Sequence, residues 1–279
     1  MVIALTGATG NLGRLVVSEL LDRGVPASEI VAIVRDPGKA AGLAKLGVVV
    51  READYSDPAG WADALRDVER LLLISVSGPG ASAAHRTVID AAAQAGVDFV
   101  AYTSIVNADR SSNPLAPEHL ATERLIEASG LRHALLRNAW YHEVYTRLVG
   151  DMVDSGELVA STGDGRVSGP ARADFAAAAA AVLVDGEAGV YELGGDDFTL
   201  ADFVAAVERE SGRSVALRNL SDTEHAAHLQ EAGMGGAAQF AVGVDASIRA
   251  GEMQTDSALL RRLLGRPLRS LEESVRLAL

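Results

Sequence analysis

Near the N-terminus, Leu5-Thr6-Gly7-Ala8-Thr9-Gly10-Asn11-Leu12-Gly13 sets glycines three residues apart, between a short apolar run and an amphipathic stretch. In a strand–turn–helix unit, Gly7 permits the tight turn, Gly10 lets backbone approach a pyrophosphate, and Gly13 allows close helix–strand contact. A helix opening at this point offers unpaired N–H groups and the positive end of its dipole to phosphate oxygens. The spacing is Gly-x-x-Gly-x-x-Gly, not Gly-x-Gly-x-x-Gly, so the flanking strand and helix carry the argument. Gly7, Ala8, Thr9, Gly10, Asn11 and Leu12 are the expected phosphate contacts.

The second apolar run, Ile30–Val34, leads into Arg35-Asp36-Pro37-Gly38-Lys39. An acidic side chain at that strand end would bind both ribose hydroxyls of NAD, whereas an arginine would pair with the 2′-phosphate of NADP. Arg35 directly follows the strand, and its planar guanidinium can grip a phosphate bidentately. Lys39 adds a second positive charge. Asp36 competes for the ribose one step further on, but Pro37 places it in the turn. NADPH is therefore the expected cofactor, with neither metal nor flavin. Later strand ends contribute as well. Asp54 is positioned to accept from the adenine amino group, and Ser75, Val76 and Ser77 to lie near the ribose; each reads equally well as an ordinary polar loop residue.

The elements behind these residues follow from hydrophobic patterning. Val2–Leu5, Ile30–Val34, Val48–Val50, Leu71–Ile74, Phe99–Tyr102 and Ala134–Leu136 read as buried strands. They alternate with helical patterns such as Leu12–Asp22, Ser82–Ala95 and Glu118–Ser129. Asp57-Pro58 has the form of a helix start, while Gly24, Gly96 and Gly130 close helices. Apolar strands alternating with helices give a doubly wound α/β fold, a parallel sheet covered on both faces. Beyond it, Glu157–Ser161, Gly189–Leu193 and Val215–Arg218 read as strands. Asp174–Val184, Leu200–Ser211, Asp222–Glu231, Gln239–Ala250, Ser257–Leu264 and Leu268–Leu279 read as helices. Residues 1–138 form the expected Rossmann-type domain, completed by parts of 155–195. Residues 139–279 form a smaller, mostly helical substrate-binding region.

Composition narrows the chemistry. The chain has 279 residues and no cysteine, which removes disulfides, thiolate catalysis and cysteine-ligated metal centres. Its net charge is 25 − 38 = −13 without a basic cluster, so a nucleic acid partner is not expected. No targeting segment or membrane span is evident, and a cytoplasmic location is the expectation. His225 and His228, at i and i+3, lack a third partner for a metal, and no Gly-x-Ser-x-Gly elbow occurs. Oligomeric state is left open, with the C-terminal helices available for subunit packing.

Taken together, Gly7–Gly13, Val34-Arg35-Asp36-Pro37, Ala101-Tyr102-Thr103-Ser104 and Leu136-Arg137-Asn138-Ala139-Trp140-Tyr141 resemble the NmrA-like branch of the atypical short-chain dehydrogenases. Within that branch the chain is most similar to the bacterial type 2 NAD(P)H:quinone oxidoreductases. Ala171-Arg172-Ala173-Asp174 and Val190-Tyr191-Glu192-Leu193 extend the likeness almost end to end. The resemblance implies NADPH and two-electron reduction of a small quinone by direct hydride transfer. The same branch also holds redox sensors that bind NADP without turnover, and a sensor is the alternative reading. Reduction of another activated enone or carbonyl is a third.

Typical short-chain dehydrogenases use a Tyr-x-x-x-Lys pair for proton exchange. Counted back from Gly130, the lysine place holds His119 and the tyrosine place Leu115. Reversible alcohol oxidation is thus disfavoured. A quinone tolerates the loss, because it is strongly electrophilic and its reduced ring spreads charge over both oxygens. Asn138, Ala139, Trp140, Tyr141, His142 and Glu143 follow the sixth strand near the expected nicotinamide end. There Asn138 would hold the carboxamide or ribose, and Tyr141 would stack on the acceptor or hydrogen-bond to it. Ser104 lies where the family places a polar active-site group. His119 is the candidate weak acid or polar anchor, with a solvated helix tip as its plainer account, and Arg172 a candidate cofactor contact; a surface ion pair with Asp174 is the plainer account of that arginine.

Overall fold

The computed structural model describes residues 1–279. In chain order the strands are β1 (Ile3–Leu5), β2 (Ile30–Val34), β3 (Val49–Glu52), β4 (Arg70–Leu73), β5 (Phe99–Ile105), β6 (Arg132–Asn138), β7 (Glu157–Ala160), β8 (Gly189–Leu193) and β9 (Ala216–Asn219). The helices begin with α1 (Asn11–Asp22), α2 (Ala41–Lys45), α3 (Trp61–Ala64), α4 (Ala81–Ala95), α5 (Ala116–Ala128), α6 (His142–Thr146) and α7 (Val149–Ser155). They continue with α8 (Arg172–Asp185), α9 (Leu200–Ser211), α10 (Asp222–Glu231), α11 (Ala237–Arg249), α12 (Ala258–Leu264) and α13 (Leu271–Arg276).

The chain divides into two compact units. The first comprises 1–105, 117–138 and 175–191, and the second 106–116, 139–174 and 192–279. The chain thus leaves the first unit for 106–116, leaves it again after 138, and comes back to it for 175–191.

In the first unit a seven-stranded sheet runs in the order β3-β2-β1-β4-β5-β6-β8, with parallel pairing from β3 through β6. The order reverses between β1 and β4, the switch point at which such sheets bind ligands beyond their carboxyl ends. Strands β1, β2 and β5 are buried along their whole length, which accounts for their unbroken apolar runs. Strand β3 is different. Its position at the edge leaves Val49 to Arg51 half-buried and Glu52 exposed, so the expected buried strand is an edge strand two residues longer at its end. Helix side chains meet one sheet face around Trp61, Leu65, Val88, Tyr102 and Ile126, all with 1 % or less exposed. Arg70 donates to the Leu183 and Val184 carbonyls, and Arg132 to the Gly186 carbonyl at 2.8 Å, so the returning segment is bonded to β4 and β6.

The second unit is mainly helical. Its sheet is the parallel pair β7–β9, with Glu157 opposite Ala216. Thr199 and Ser221 head α9 and α10 with reciprocal capping boxes to Asp202 and Glu224, which explains why both helices start where the sequence indicated. The tail is shorter than expected: only Leu271–Arg276 is helical within 268–279. No helix is long and apolar enough to cross a membrane.

Candidate functional site

In the first unit the glycine turn has the form the phosphate argument requires. Gly7 has φ +59°, a left-handed conformation that favours glycine. A Cβ on Gly13 would lie 2.3 Å from the Gly7 carbonyl oxygen and 2.7 Å from the Ala8 Cα, so any side chain there would push turn and helix apart. Helix α1 begins after Gly10 without a side-chain cap, and no acid sits in its first turn. Its leading N–H groups are therefore open to an anion. The residues present fit a bound pyrophosphate.

Arg35 projects from the end of β2 as an exposed side chain, with Asp36, Gly38 and Lys39 exposed beside it. Asp36 turns away from the ribose role: its Oδ1 accepts the Gly38 N–H at 2.9 Å and caps the short 3₁₀ turn Pro37–Ala40. Arg14 was not anticipated. Its guanidinium donates to the carbonyls of Thr9 (2.8 Å) and Lys39 (3.3 Å), tying the glycine turn to the Arg35 loop. The only hint in the sequence is a basic residue at the first exposed turn of α1. Asp54 accepts the Ser56 N–H and hydroxyl (2.9 and 2.8 Å); these bonds, aided by the nearby Arg35 charge, hold its carboxyl below the usual range. Ser75 is bonded through its N–H to Thr103 Oγ1 at 2.9 Å, the Val76 N–H donates to His85 Nε2 at 3.0 Å, and Ser77 is exposed.

One face of β5 meets one face of α5 through polar pairs. Tyr102 and Ser104 are two residues apart on the strand, and His119 and Glu123 four apart on the helix. Those spacings span about 6–7 Å on either element, so the pairs match. Tyr102 Oη lies 2.9 Å from His119 Nδ1, and Ser104 Oγ donates to Glu123 Oε1 at 2.6 Å. Arg137, in register with Ser104 on β6, completes the group with donations to Glu123 at 2.9 and 2.7 Å. Ser104 thus has its single proton engaged by a buried carboxylate rather than pointed at an acceptor. Asn138, opposite Ile105, is buried at the end of β6.

His119 departs from the weak-acid expectation. Burial holds its imidazole at about 4, far below 6.5, so at neutral pH the ring is uncharged. His85 also falls to about 4 through burial, helped by the neighbouring His119. Because His85 Nε2 accepts from the Val76 N–H, its proton is on Nδ1, donated to Thr122 Oγ1 at 2.9 Å. His142, in the second unit, is held at about 4 by the same cause.

These folded values lie below the unfolded one, so the unfolded chain takes up protons first as pH falls from about 6.5 towards 4. Stability should be full above pH 7 and decline by up to about 1.4 kcal/mol per pH unit for each ring. Urea midpoints at pH 7.5, 6 and 5 would show the fall; a flat profile would mean that these rings titrate freely in the folded protein.

In the second unit the segment after β6 is more structural than expected. His142 is 3 % exposed, bonded through Nδ1 to Ser274 Oγ at 2.8 Å and packed edge-on against Phe198. The Glu143 carboxylate accepts the Arg172 N–H at 2.9 and 3.1 Å, capping α8. The Arg172 guanidinium lies 5.5 Å above the Tyr141 ring centre. Asp174 instead takes the Arg266 guanidinium at 2.7 Å and the Arg269 N–H at 3.0 Å, so the Arg172–Asp174 ion pair does not form. Ala139 is buried, Trp140 half-buried. His225 is buried against Ser161 and Asp245, and no group of three His, Cys, Asp or Glu side chains is arranged to hold a metal ion.

The sequence profile of an NAD(P)H-binding family matches residues 7–186. The chain is 45 % identical to quinone oxidoreductase 2 of Escherichia coli K12, over 98 % of this chain and 97 % of that protein. The crystal structure of the E. coli NADPH-dependent quinone oxidoreductase complexed with NADPH is similar to it with a TM-score of 0.94 and 44 % identity, covering 98 % of each chain. The Citrobacter sp. triphenylmethane reductase complexed with NADP(H) is similar with a TM-score of 0.92 and 36 % identity, over 99 % of this chain and all (100 %) of the other.

Proposed function

The chain belongs to the NAD(P)H-binding family, in the NmrA-like branch of the atypical short-chain dehydrogenases, and from that premise we propose that it reduces quinones with NADPH in a single two-electron step. The observation that carries the proposal is the 45 % identity across nearly the whole of a quinone oxidoreductase, together with an open, uncapped glycine turn next to Arg35.

Bound NADPH supplies a hydride. The N–H groups at the start of α1 hold the pyrophosphate, and Arg35, with Lys39 nearby, grips the 2′-phosphate. Asn138 orients the nicotinamide end. Tyr141, beneath the Arg172 guanidinium, presents an aromatic face to the acceptor. No residue of this chain has to deliver a strongly acidic proton. Leu115 and His119 stand where a tyrosine and lysine would act, and the His119 ring is neutral with Nδ1 against Tyr102. Water protonates the reduced ring, whose charge is already delocalised, and the protein's work is alignment.

Rapid mixing of the NADPH-loaded protein with 1,4-benzoquinone tests this. Loss of the reduced nicotinamide absorbance within a single turnover is the expected result. Tight NADPH binding with no oxidation by quinones would replace this reading with the redox sensor.

A further inference from the structure

Helix α1 begins against the usual charge preference. The positive end of a helix dipole favours acidic side chains, yet the first turn of α1 has no acid and Arg14 takes its fourth position. Long helical side chains lean towards the N-terminus. Arg14 accordingly folds back over the glycine turn, where its Nε donates to the Thr9 carbonyl at 2.8 Å. Its Nη2 donates to the Lys39 carbonyl at 3.3 Å, 25 residues further along the chain. A cation at this place opposes the dipole until an anion arrives to offset both.

The loop that Arg14 reaches has few other ties. Beyond its anchored ends, Val34 in β2 and the buried Ala40, residues 35–39 are exposed without a break. Within the loop, Asp36 accepts the Gly38 N–H at 2.9 Å, and the Lys39 N–H donates to the Asp36 carbonyl at 3.1 Å. Those bonds shape the 3₁₀ turn without fixing where it stands. Arg14 makes the one side-chain hydrogen bond that comes to residues 35–39 from elsewhere in the chain. The glycine turn needs no such help, because the Gly10 N–H closes on the Gly7 carbonyl at 2.9 Å.

We propose that Arg14 is a positioning residue for NADPH specificity: it pins the loop carrying Arg35 and Lys39 to the glycine turn, so that the 2′-phosphate and pyrophosphate subsites form one preorganised surface. The inference rests on the NADPH reading above. Binding then does not have to order the exposed loop, and the gain falls on the cofactor that uses it. NADH has no 2′-phosphate and draws on the glycine turn alone.

In the full-length protein, Arg14→Met should weaken NADPH about three- to tenfold, the worth of one hydrogen bond, and NADH by less than about twofold, read by nicotinamide fluorescence. Arg14→Lys keeps the charge but not the paired Nε and Nη2 donors, and should recover less than about half of the loss. Added to Arg35→Ala, Arg14→Met should cost NADPH less than about twofold more, because the loop then has no guanidinium to place. In the cofactor-free Arg14→Met protein, amide hydrogen exchange at residues 38–40 should quicken while that at Gly10 stays as it was. Equal losses for NADPH and NADH, full recovery by lysine, multiplied losses in the double variant, or unchanged exchange at 38–40 would each overturn the proposal. A wild type that shows this pattern but leaves quinones unreduced would remove the reductase reading and keep the role of Arg14. Quinone reduction with equal cofactor losses would do the reverse, and a wild type that binds no NADPH would remove both.

Discussion

Glu123→Ala is expected to destabilise the protein by about 3–5 kcal/mol, the usual consequence of removing one member of a buried ion pair. Glu123 is 1 % exposed and Arg137 8 % exposed, and the carboxylate receives the guanidinium twice as well as the Ser104 hydroxyl. Removing it takes away the acceptor of two Arg137 hydrogen bonds and of the Ser104 hydroxyl, between β5, β6 and α5. The loss is a large share of the roughly 5–15 kcal/mol by which native proteins are stable. Glu123→Gln keeps the shape and should fall between wild type and alanine. Urea unfolding without cofactor measures both. A Glu123→Ala protein within about 1 kcal/mol of wild type, the net value of an ordinary hydrogen bond, would mean that water reaches the pair.

Arg35→Ala is expected to weaken NADPH about 10- to 100-fold while changing NADH affinity little. Hydrogen bonds to a charged group are worth about 1.5–3 kcal/mol, and tenfold in affinity corresponds to about 1.4 kcal/mol. The side chain is exposed, so the NADPH affinity of the wild type should also fall with added salt more steeply than that of the variant. Equilibrium titration with each cofactor by nicotinamide fluorescence reads the split. Equal losses for NADPH and NADH would assign Arg35 to the shared part of the molecule and move 2′-phosphate recognition to Arg14 or Lys39.

Much of this was legible in the sequence because it is local. The glycine turn, the run Ile30–Val34 with Arg35 after it, and the capped helices Leu200–Ser211 and Asp222–Glu231 are each specified by neighbours a few residues away. Asp36 shows the same: Pro37 restricts it, and the structure finds it capping the turn. What could not be read was long-range pairing. Glu123 looks like a solvent-facing helix residue, because nothing in its spacing reveals Arg137 on β6 or Ser104 on β5. Helix α5 carries Glu118, His119, Thr122 and Glu123 toward polar partners on the sheet and α4, which blurs the apolar stripe that periodicity detects. Helices α6 and α7, five and seven residues long, are too short for a periodic signal, so both went unnoticed. Glu143 and His142 were expected at the cofactor; their bonds to the Arg172 N–H and Ser274 come from segments 29 and 132 residues further along.

The return of residues 175–191 to the first unit bears on how the chain is made. A nascent chain that has emerged only to residue 138 carries Arg70 and Arg132 without the carbonyls of Leu183, Val184 and Gly186 to receive them, and β6 without β8 at its side. Synthesis from the N-terminus therefore cannot finish the first unit at residue 138. Some fifty further residues must leave the ribosome first, and until then the β6 edge is an unpaired strand edge of the kind that invites wrong pairing.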